Sequence, residues 1–122
     1  MRTAYDKDWF LQASVIVVAH GVPDEAWRKR QLFPPRIEEY WKVDVAISLQ
    51  NLIMAAWEQG LGSCWVPAFV EKKAKSVLGI TKNVRVLAMT PLGYPKDSQE
   101  PITDRKPLNE IAFKNKWETP YT

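Results

Sequence analysis

Apolar residues occur along the chain in short continuous runs, which are typical of buried strands, and in one longer segment with helical spacing. Residues 14–21, SVIVVAHG, form a β-branched apolar run, which predicts a strand buried on both faces. Residues 84–94, VRVLAMTPLGY, predict a second strand by the same pattern. Residues 63–69, SCWVPAF, predict a short strand that is broken at Pro67. The chain therefore supplies about three strands, which is fewer than the mean sheet has.

The clearest helical period lies between Asp44 and Gln59. Four apolar residues recur there at i, i+4, i+7 and i+11: Val45, Leu49, Leu52 and Ala56. Five more widen the stripe: Ile47, Ile53, Met54, Ala55 and Trp57. Asp44 suits the N-cap, and Gly60 suits the left-handed position after the last turn. A helix that is apolar around most of its girth is buried on several sides, so we expect it in the centre of a larger domain or in a subunit interface.

The remaining segments predict shorter elements. In chain order these are one or two helical turns at residues 23–33, a helix at residues 70–80, a polar loop at residues 95–107, a short helix at residues 108–113 and an extended tail at residues 114–122. Asp24 suits the N-cap of the helical turns at residues 23–33, and Pro34 and Pro35 end them. Gly79 suits the C-terminal end of the helix at residues 70–80. Nothing in the first forty residues covers the long helix, so we expect the chain to be part of a domain.

Composition narrows the class of protein. A chain of 122 residues predicts one domain, and 46% hydrophobic with 25% charged residues is typical of a globular one. The net charge of +3 is too small to favour nucleic acid, which leaves a nucleic-acid binder as the weakest hypothesis. The longest apolar run, residues 13–19, is too short to span a membrane. With one cysteine and no signal-peptide pattern, we expect a cytoplasmic protein without membrane partners.

Few side chains point to catalysis. Cys64 as a nucleophile needs a base, and nothing in the sequence brings His20, the one histidine, beside it. Because free cysteines are mostly buried, a structural role is expected for Cys64, and likewise for His20. One histidine and one cysteine do not make a metal site, and the carboxylates form no acid–base couple by spacing. No catalytic residue and no metal ligand is therefore assigned.

Two features favour a ligand. A glycine-flanked strand that bends at Pro67 leaves backbone groups unpaired, and these groups can face a flat molecule. Arg105 and Lys106, just before Pro107, offer cations, and a guanidinium can bind a phosphate in bidentate fashion.

Taken together and in order, four segments resemble the C-terminal half of the nitroreductase family of flavin-dependent oxidoreductases. They are SVIVVAHG, DVAISLQNLIMAAWEQGLGSCWVPAF, VLGITKNVRVLAMTPLGYP and RKPLNEI. The resemblance implies an α+β fold, in which helices flank the sheet, and an intertwined homodimer with FMN at the interface. It also implies that residues 1–122 are a single domain fragment whose arm, residues 114–122, anchors on the neighbouring subunit.

The same resemblance assigns a cofactor site. The segment Trp65, Val66, Pro67 and Ala68 would line the isoalloxazine ring of FMN, mainly through main-chain groups. Arg105 would bind the phosphate, with Lys106 as a second cation. NAD(P)H would reduce the flavin, which would pass electrons to a nitro compound or a quinone, and the Cys64 thiol would take no part.

Two departures from the family pattern accompany the resemblance. The family's Arg-rich first helix and its Pro-Ser-x-x-Asn-x-Gln-Pro-Trp loop are absent from these 122 residues, so a separate N-terminal half is a further partner to expect. Pro67 stands where relatives often offer an N–H to the flavin, and the N–H of Ala68 is the substitute. The alternative is a flavin-free dimerisation or interaction module that keeps the scaffold.

Overall fold

A computed structural model describes residues 1–23, 37–81, 83–96 and 104–121. Its elements are, in chain order, α1 (Asp8–Leu11), β1 (Val15–Gly21), α2 (Ile37–Glu58), β2 (Gly62–Ser63), α3 (Glu71–Leu78), β3 (Arg85–Gly93) and α4 (Leu108–Ile111). The helical turns predicted from Asp24 to the proline pair at residues 34–35 lie outside the described residues. The described part has the α+β composition that the sequence predicts.

The sheet has three antiparallel strands in the order β1-β3-β2. β1 pairs with β3 from Val15 opposite Leu92 to Gly21 opposite Arg85, with a bulge between Ala19 and His20. β3 is therefore the central strand, and both of the long predicted strands are confirmed. The predicted strand at residues 63–69 is wrong in extent, because β2 itself ends at Ser63.

A proline in the central strand explains why β2 is short. Gly62 pairs with Gly93, and an isolated bridge joins Val66 to Met89, so the register is unchanged across the gap. Continuing this register places Cys64 opposite Pro91, which has no N–H to donate.

The side chain of Thr90 occupies the break in the ladder. The Cys64 N–H donates to Thr90 Oγ1 at 3.3 Å, and the same hydroxyl donates to the Pro91 carbonyl at 3.4 Å. Thr90 is completely buried, so its hydroxyl replaces a ladder bond inside the protein rather than at its surface.

The core lies on one face of the sheet. Phe10, Val66 and Met89 form its fully packed centre. Side chains of the N-terminal segment and of β1 surround them: Met1, Tyr5, Leu11, Ile16 and Val18, together with Phe69. β1 is only half-buried at its centre and exposed at Val15 and His20, so the expected burial on both faces is wrong for the described chain.

Helix α2 packs on the sheet by a narrow stripe. Among the helix residues whose burial the structure describes, 39–58, Trp41, Leu49 and Ala56 are buried, and they lie along the predicted face. The helix begins at Ile37, so the N-cap predicted at Asp44 is wrong: Asp44 lies inside the helix. Burial of Trp41, at the i−4 position from Val45, continues the stripe towards the N-terminus and outweighs the local preference of an aspartate for a cap.

Most of the remaining apolar surface of α2 is uncovered. Its large exposed side chains are Tyr40, Val43, Ile47, Leu52, Met54 and Trp57. This exposure agrees with the expectation that a helix so apolar needs more cover than the chain provides. No helix within the described residues is long and apolar enough to cross a membrane.

Helices α3 and α4 agree with the sequence pattern, whereas α1 was not predicted and the tail differs from the expectation. Gly60 follows α2 with φ of 76°, and Gly79 ends α3 with φ of 65°, a region that glycine enters without steric cost. α4 is the predicted short helix. The expected extended tail is instead a tight turn, because Phe113 pairs with Pro120 and the Lys114 N–H donates to Thr119 O at 2.9 Å.

We predict that Thr90→Val lowers the free energy of unfolding by about 1 kcal/mol, because it removes a net hydrogen bond without changing side-chain volume. Chemical denaturation measures this. Thr81→Val, at an exposed position, is the matched control and should leave the free energy of unfolding within about 0.5 kcal/mol of the wild-type value. Equal stabilities of the two variants would contradict the bridging role of the Thr90 hydroxyl.

Candidate functional site

The predicted ligand-contacting residues 65–68, called the site segment below, begin at a fixed point of the sheet. The Val66 N–H donates to Met89 O at 2.9 Å, and the Met89 N–H donates back to Val66 O at 3.0 Å. The Val66 side chain is 3% exposed and belongs to the core. Val66 therefore anchors the segment and has no polar backbone group left for a ligand.

Trp65 leaves the sheet on the opposite side from Val66, since successive side chains alternate along an extended chain. Its indole Nε1–H donates to Gln50 Oε1 at 3.1 Å, which ties the segment to α2. Gln50 is not among the residues predicted from the sequence, because a polar pair separated by a loop leaves no periodic signal.

Pro67 and Ala68 form the exposed part of the site segment. Pro67 has no N–H, and the N–H of Ala68 has no hydrogen-bond partner among the described residues. Both side chains are small and apolar. This pair therefore presents a short exposed strip of backbone with one unpaired N–H donor.

The chain after this strip is also hydrogen-bonded to other parts of the protein. The Val70 N–H donates to Ala4 O at 3.0 Å. Glu71 then accepts hydrogen bonds from Arg85 Nε at 2.9 Å and from the Val86 N–H at 3.0 Å. The Arg85 hydrogen bonds hold the pKa of the Glu71 carboxyl below its ordinary value. The exposed strip is thus a short span between two fixed ends.

Arg105 and Lys106 are exposed and lie just before α4. Neither forms an ion pair or a hydrogen bond with any residue that the structure describes. The structure gives no contact between these cations and the site segment. Their role at a phosphate stays a prediction.

The structure corrects the expectations for Cys64 and His20. Cys64 is an exposed free thiol rather than a buried one, and His20 is exposed rather than packed. His20 pairs with Val86 on β3, whereas Cys64 stands beside Pro91 on the other edge of that strand. Five residues of extended chain separate these levels by roughly 16 Å, so the two side chains form no nucleophile–base pair.

An open groove lies between β1 and α2, on the side of the sheet away from the core. It has a volume of about 370 Å³. Its apolar and polar lining residues are Val17, Val18, Ala19, His20, Asp44, Val45, Ser48, Leu49 and Leu52. The sequence pattern does not predict the groove, because Asp44 reads as a helix cap and His20 as a structural residue.

Comparison with known proteins gives the family. A model described as the nitroreductase family matches residues 1–94, which is most of the chain. The chain belongs to the nitroreductase family. The fold resemblance inferred from the sequence is therefore confirmed.

Individual nitroreductase relatives are longer than this chain. A protein of Archaeoglobus fulgidus, named as a candidate NADH dehydrogenase/NAD(P)H nitroreductase, is 31% identical over 74 residues, which make up 54% of this chain and 42% of the relative. A crystal structure of a nitroreductase family protein from Clostridium novyi NT is 33% identical with a TM-score of 0.61, covering 91% of this chain and 56% of that one. The chain thus spans about half the length of these nitroreductase relatives.

A third comparison concerns the fold alone. The structure of an FMN-dependent nitroreductase from Clostridium difficile R20291 is 18% identical with a TM-score of 0.68, covering 86% of this chain and 59% of that one. The nitroreductase-like α+β arrangement therefore extends over most of the present chain.

Proposed function

We propose that the chain supplies the flavin-contacting part of a nitroreductase-like FMN-dependent oxidoreductase that passes electrons from NAD(P)H to a nitro compound or a quinone. Family membership supports a general oxidoreductase role of this kind. The names of two relatives, one with NAD(P)H and one with FMN, support the reductant and the cofactor. The observation that carries the proposal is the exposed Pro67–Ala68 strip, which is fixed at both ends and keeps one free N–H.

The residues present suit FMN by their chemistry. A strip of small apolar side chains leaves room for an aromatic ring, and the Ala68 N–H suits an acceptor atom on that ring. Arg105 is a cation without a protein partner among the described residues, as a phosphate ligand requires. Lys106 is its neighbour and a second candidate for the phosphate.

The chain's own residues have positioning roles in this proposal. Bound FMN supplies the redox chemistry, and the protein supplies binding, orientation and electrostatics. Val66 fixes the position of the strip relative to the sheet, and the Ala68 N–H is the donor available to the ligand. Trp65 borders the strip on the side of α2. The proposal assigns no nucleophile–base pair to Cys64 and His20, since the fold separates them.

We further propose a homodimer in which α2 forms the interface. Several of its large apolar residues are exposed, among them Ile47, Met54 and Trp57, and clustered exposed apolar side chains mark interaction surfaces. The tail carries two more exposed aromatic side chains, Trp117 and Tyr121, and in the proposal these anchor on the second copy. The same exposure also favours the alternative function, a flavin-free dimerisation module, so a flavin measurement has to separate the two.

We predict that the purified chain binds FMN and acquires the yellow absorption band of a flavoprotein after excess cofactor is removed. NAD(P)H should bleach the band under anaerobic conditions, and a quinone should restore it. The measurement is an absorbance spectrum before and after each addition. A chain that dimerises and retains no flavin would instead support the interaction module.

We predict that Arg105→Ala weakens FMN binding by about ten- to a hundredfold, because a charge-assisted hydrogen bond contributes roughly 1.5–3 kcal/mol. Riboflavin lacks the phosphate, so its dissociation constant should stay the same. Flavin fluorescence titration measures both ligands. Lys72→Ala, on the exposed face of α3, is the matched control for loss of one positive charge. Equal weakening of both ligands would place Arg105 away from the phosphate.

We predict that the chain sediments as a dimer at micromolar concentration and that Ile47→Lys shifts it towards monomer. Burial of one large aliphatic side chain contributes about 1.5–3 kcal/mol, and a symmetric interface loses it twice. Ser76→Lys, at an exposed position of α3, introduces the same charge as a control and should leave the dimer intact. Deletion of residues 114–122 should also weaken association. A compact monomer at every concentration would contradict the proposed interface.

A further inference from the structure

The Trp65 side chain has a hydrogen-bond partner on α2. The hydrogen bond from its indole Nε1–H to Gln50 Oε1 joins residues fifteen positions apart, across the loop between α2 and the site segment. Among the described residues it is the one side-chain hydrogen bond between α2 and this segment. The bond therefore decides where the indole ring rests relative to the exposed strip.

The backbone alone does not fix that ring. The reciprocal hydrogen bonds of Val66 with Met89 hold the main chain, and the Cys64 N–H is held by Thr90. These contacts leave the side-chain torsions of Trp65 free. Trp65 is only half-buried, so packing does not lock its ring completely. The Gln50 acceptor supplies the missing constraint.

An indole that is free to turn can cover the strip that follows it. Pro67 and Ala68 have small side chains and offer no steric barrier to a ring swinging over them. A planar ligand and the indole would then compete for the same backbone surface. A fixed indole keeps the surface open and forms one wall of it, so less order has to be imposed when the ligand binds.

We propose that Gln50 is a positioning residue for the flavin ring and acts through the orientation of Trp65. The inference rests on the proposed flavin-binding function. Because Gln50 acts at the isoalloxazine ring, which FMN and riboflavin share, its loss weakens the binding of both flavins by the same factor. Loss of Arg105 weakens the binding of FMN alone, so the ratio of the two affinities distinguishes the two residues.

The test compares four single variants of the full chain and one double variant. Gln50→Met removes the acceptor and nearly keeps the side-chain volume, whereas Gln50→Glu keeps an oxygen acceptor for the indole N–H. Trp65→Phe removes the donor. Gln59→Met, at an exposed position at the end of α2, is the matched control. FMN and riboflavin dissociation constants, the absorption spectrum of bound flavin, the thermal midpoint and the sedimentation coefficient are measured for each.

Gln50→Met and Trp65→Phe should each weaken the binding of both flavins by roughly three- to tenfold, as expected for the loss of one net hydrogen bond. Each should also shift the absorption band of the bound flavin. The double variant Gln50→Met with Trp65→Phe should be weaker by less than the product of the single effects, because both remove one interaction. Gln50→Glu should bind nearly as wild type does, and Gln59→Met should change nothing.

Three results would overturn the inference. Wild-type binding and an unchanged spectrum in Gln50→Met would refute it while the proposed function stands. A loss of affinity matched by Gln59→Met, or accompanied by dissociation of the dimer, would assign Gln50 a merely structural role. If the wild-type chain binds neither flavin, the proposed function fails and this inference fails with it.

Discussion

The reciprocal hydrogen bonds between Val66 and Met89 are the constraint on which the candidate site depends. They form the last contact between the edge of the sheet and the chain that leaves it. Because the Val66 side chain also fills the core beside Met89, this position is held by its backbone and by its packing at once. The exposed pair Pro67–Ala68 follows immediately, so its height and direction are set by the most buried part of the protein.

Two prolines shape this region in complementary ways. Pro91 removes a donor from the central strand, and the buried Thr90 hydroxyl replaces the lost ladder bond while the register of the strands is kept. Pro67 removes a donor from the edge, where no strand follows to require it. The first proline is tolerated because a side chain compensates for it, and the second because the chain is already leaving the sheet.

The sequence pattern predicts elements better than their limits. β1, β3, α3 and α4 follow from β-branched runs, helical spacing and glycine ends. The start of α2 was missed, because a local N-cap signal at Asp44 competes with burial of Trp41, and burial depends on the whole fold. The length of β2 was missed for a similar reason: it is limited by Pro91, which is distant in sequence and adjacent only in the folded sheet.

The candidate site was predictable only in part, for the same physical reason. Proline and flanking glycines mark residues 65–68 as a place where backbone is exposed, and the structure exposes Pro67 and Ala68. The tethers that hold this strip are tertiary contacts: Trp65 with Gln50, Val70 with Ala4, and Glu71 with Arg85. A hydrogen bond between two residues far apart in the sequence produces no repeating pattern of polar positions, so it cannot be predicted from the sequence pattern.

These contacts also reduce the conformational entropy that the strip would lose when a ligand binds. A loop that becomes ordered only on binding must offset about 1–2 kcal/mol of backbone entropy for each residue that it fixes. Here both ends of the span from Val66 to Val70 are already hydrogen-bonded, and the ring of Pro67 restricts one backbone torsion between them. Most of that entropy is therefore lost during folding rather than during ligand binding. The small side chains of the strip add little surface for a ligand to contact, so the strip itself would contribute to binding mainly through this prior order and through the free donor at Ala68.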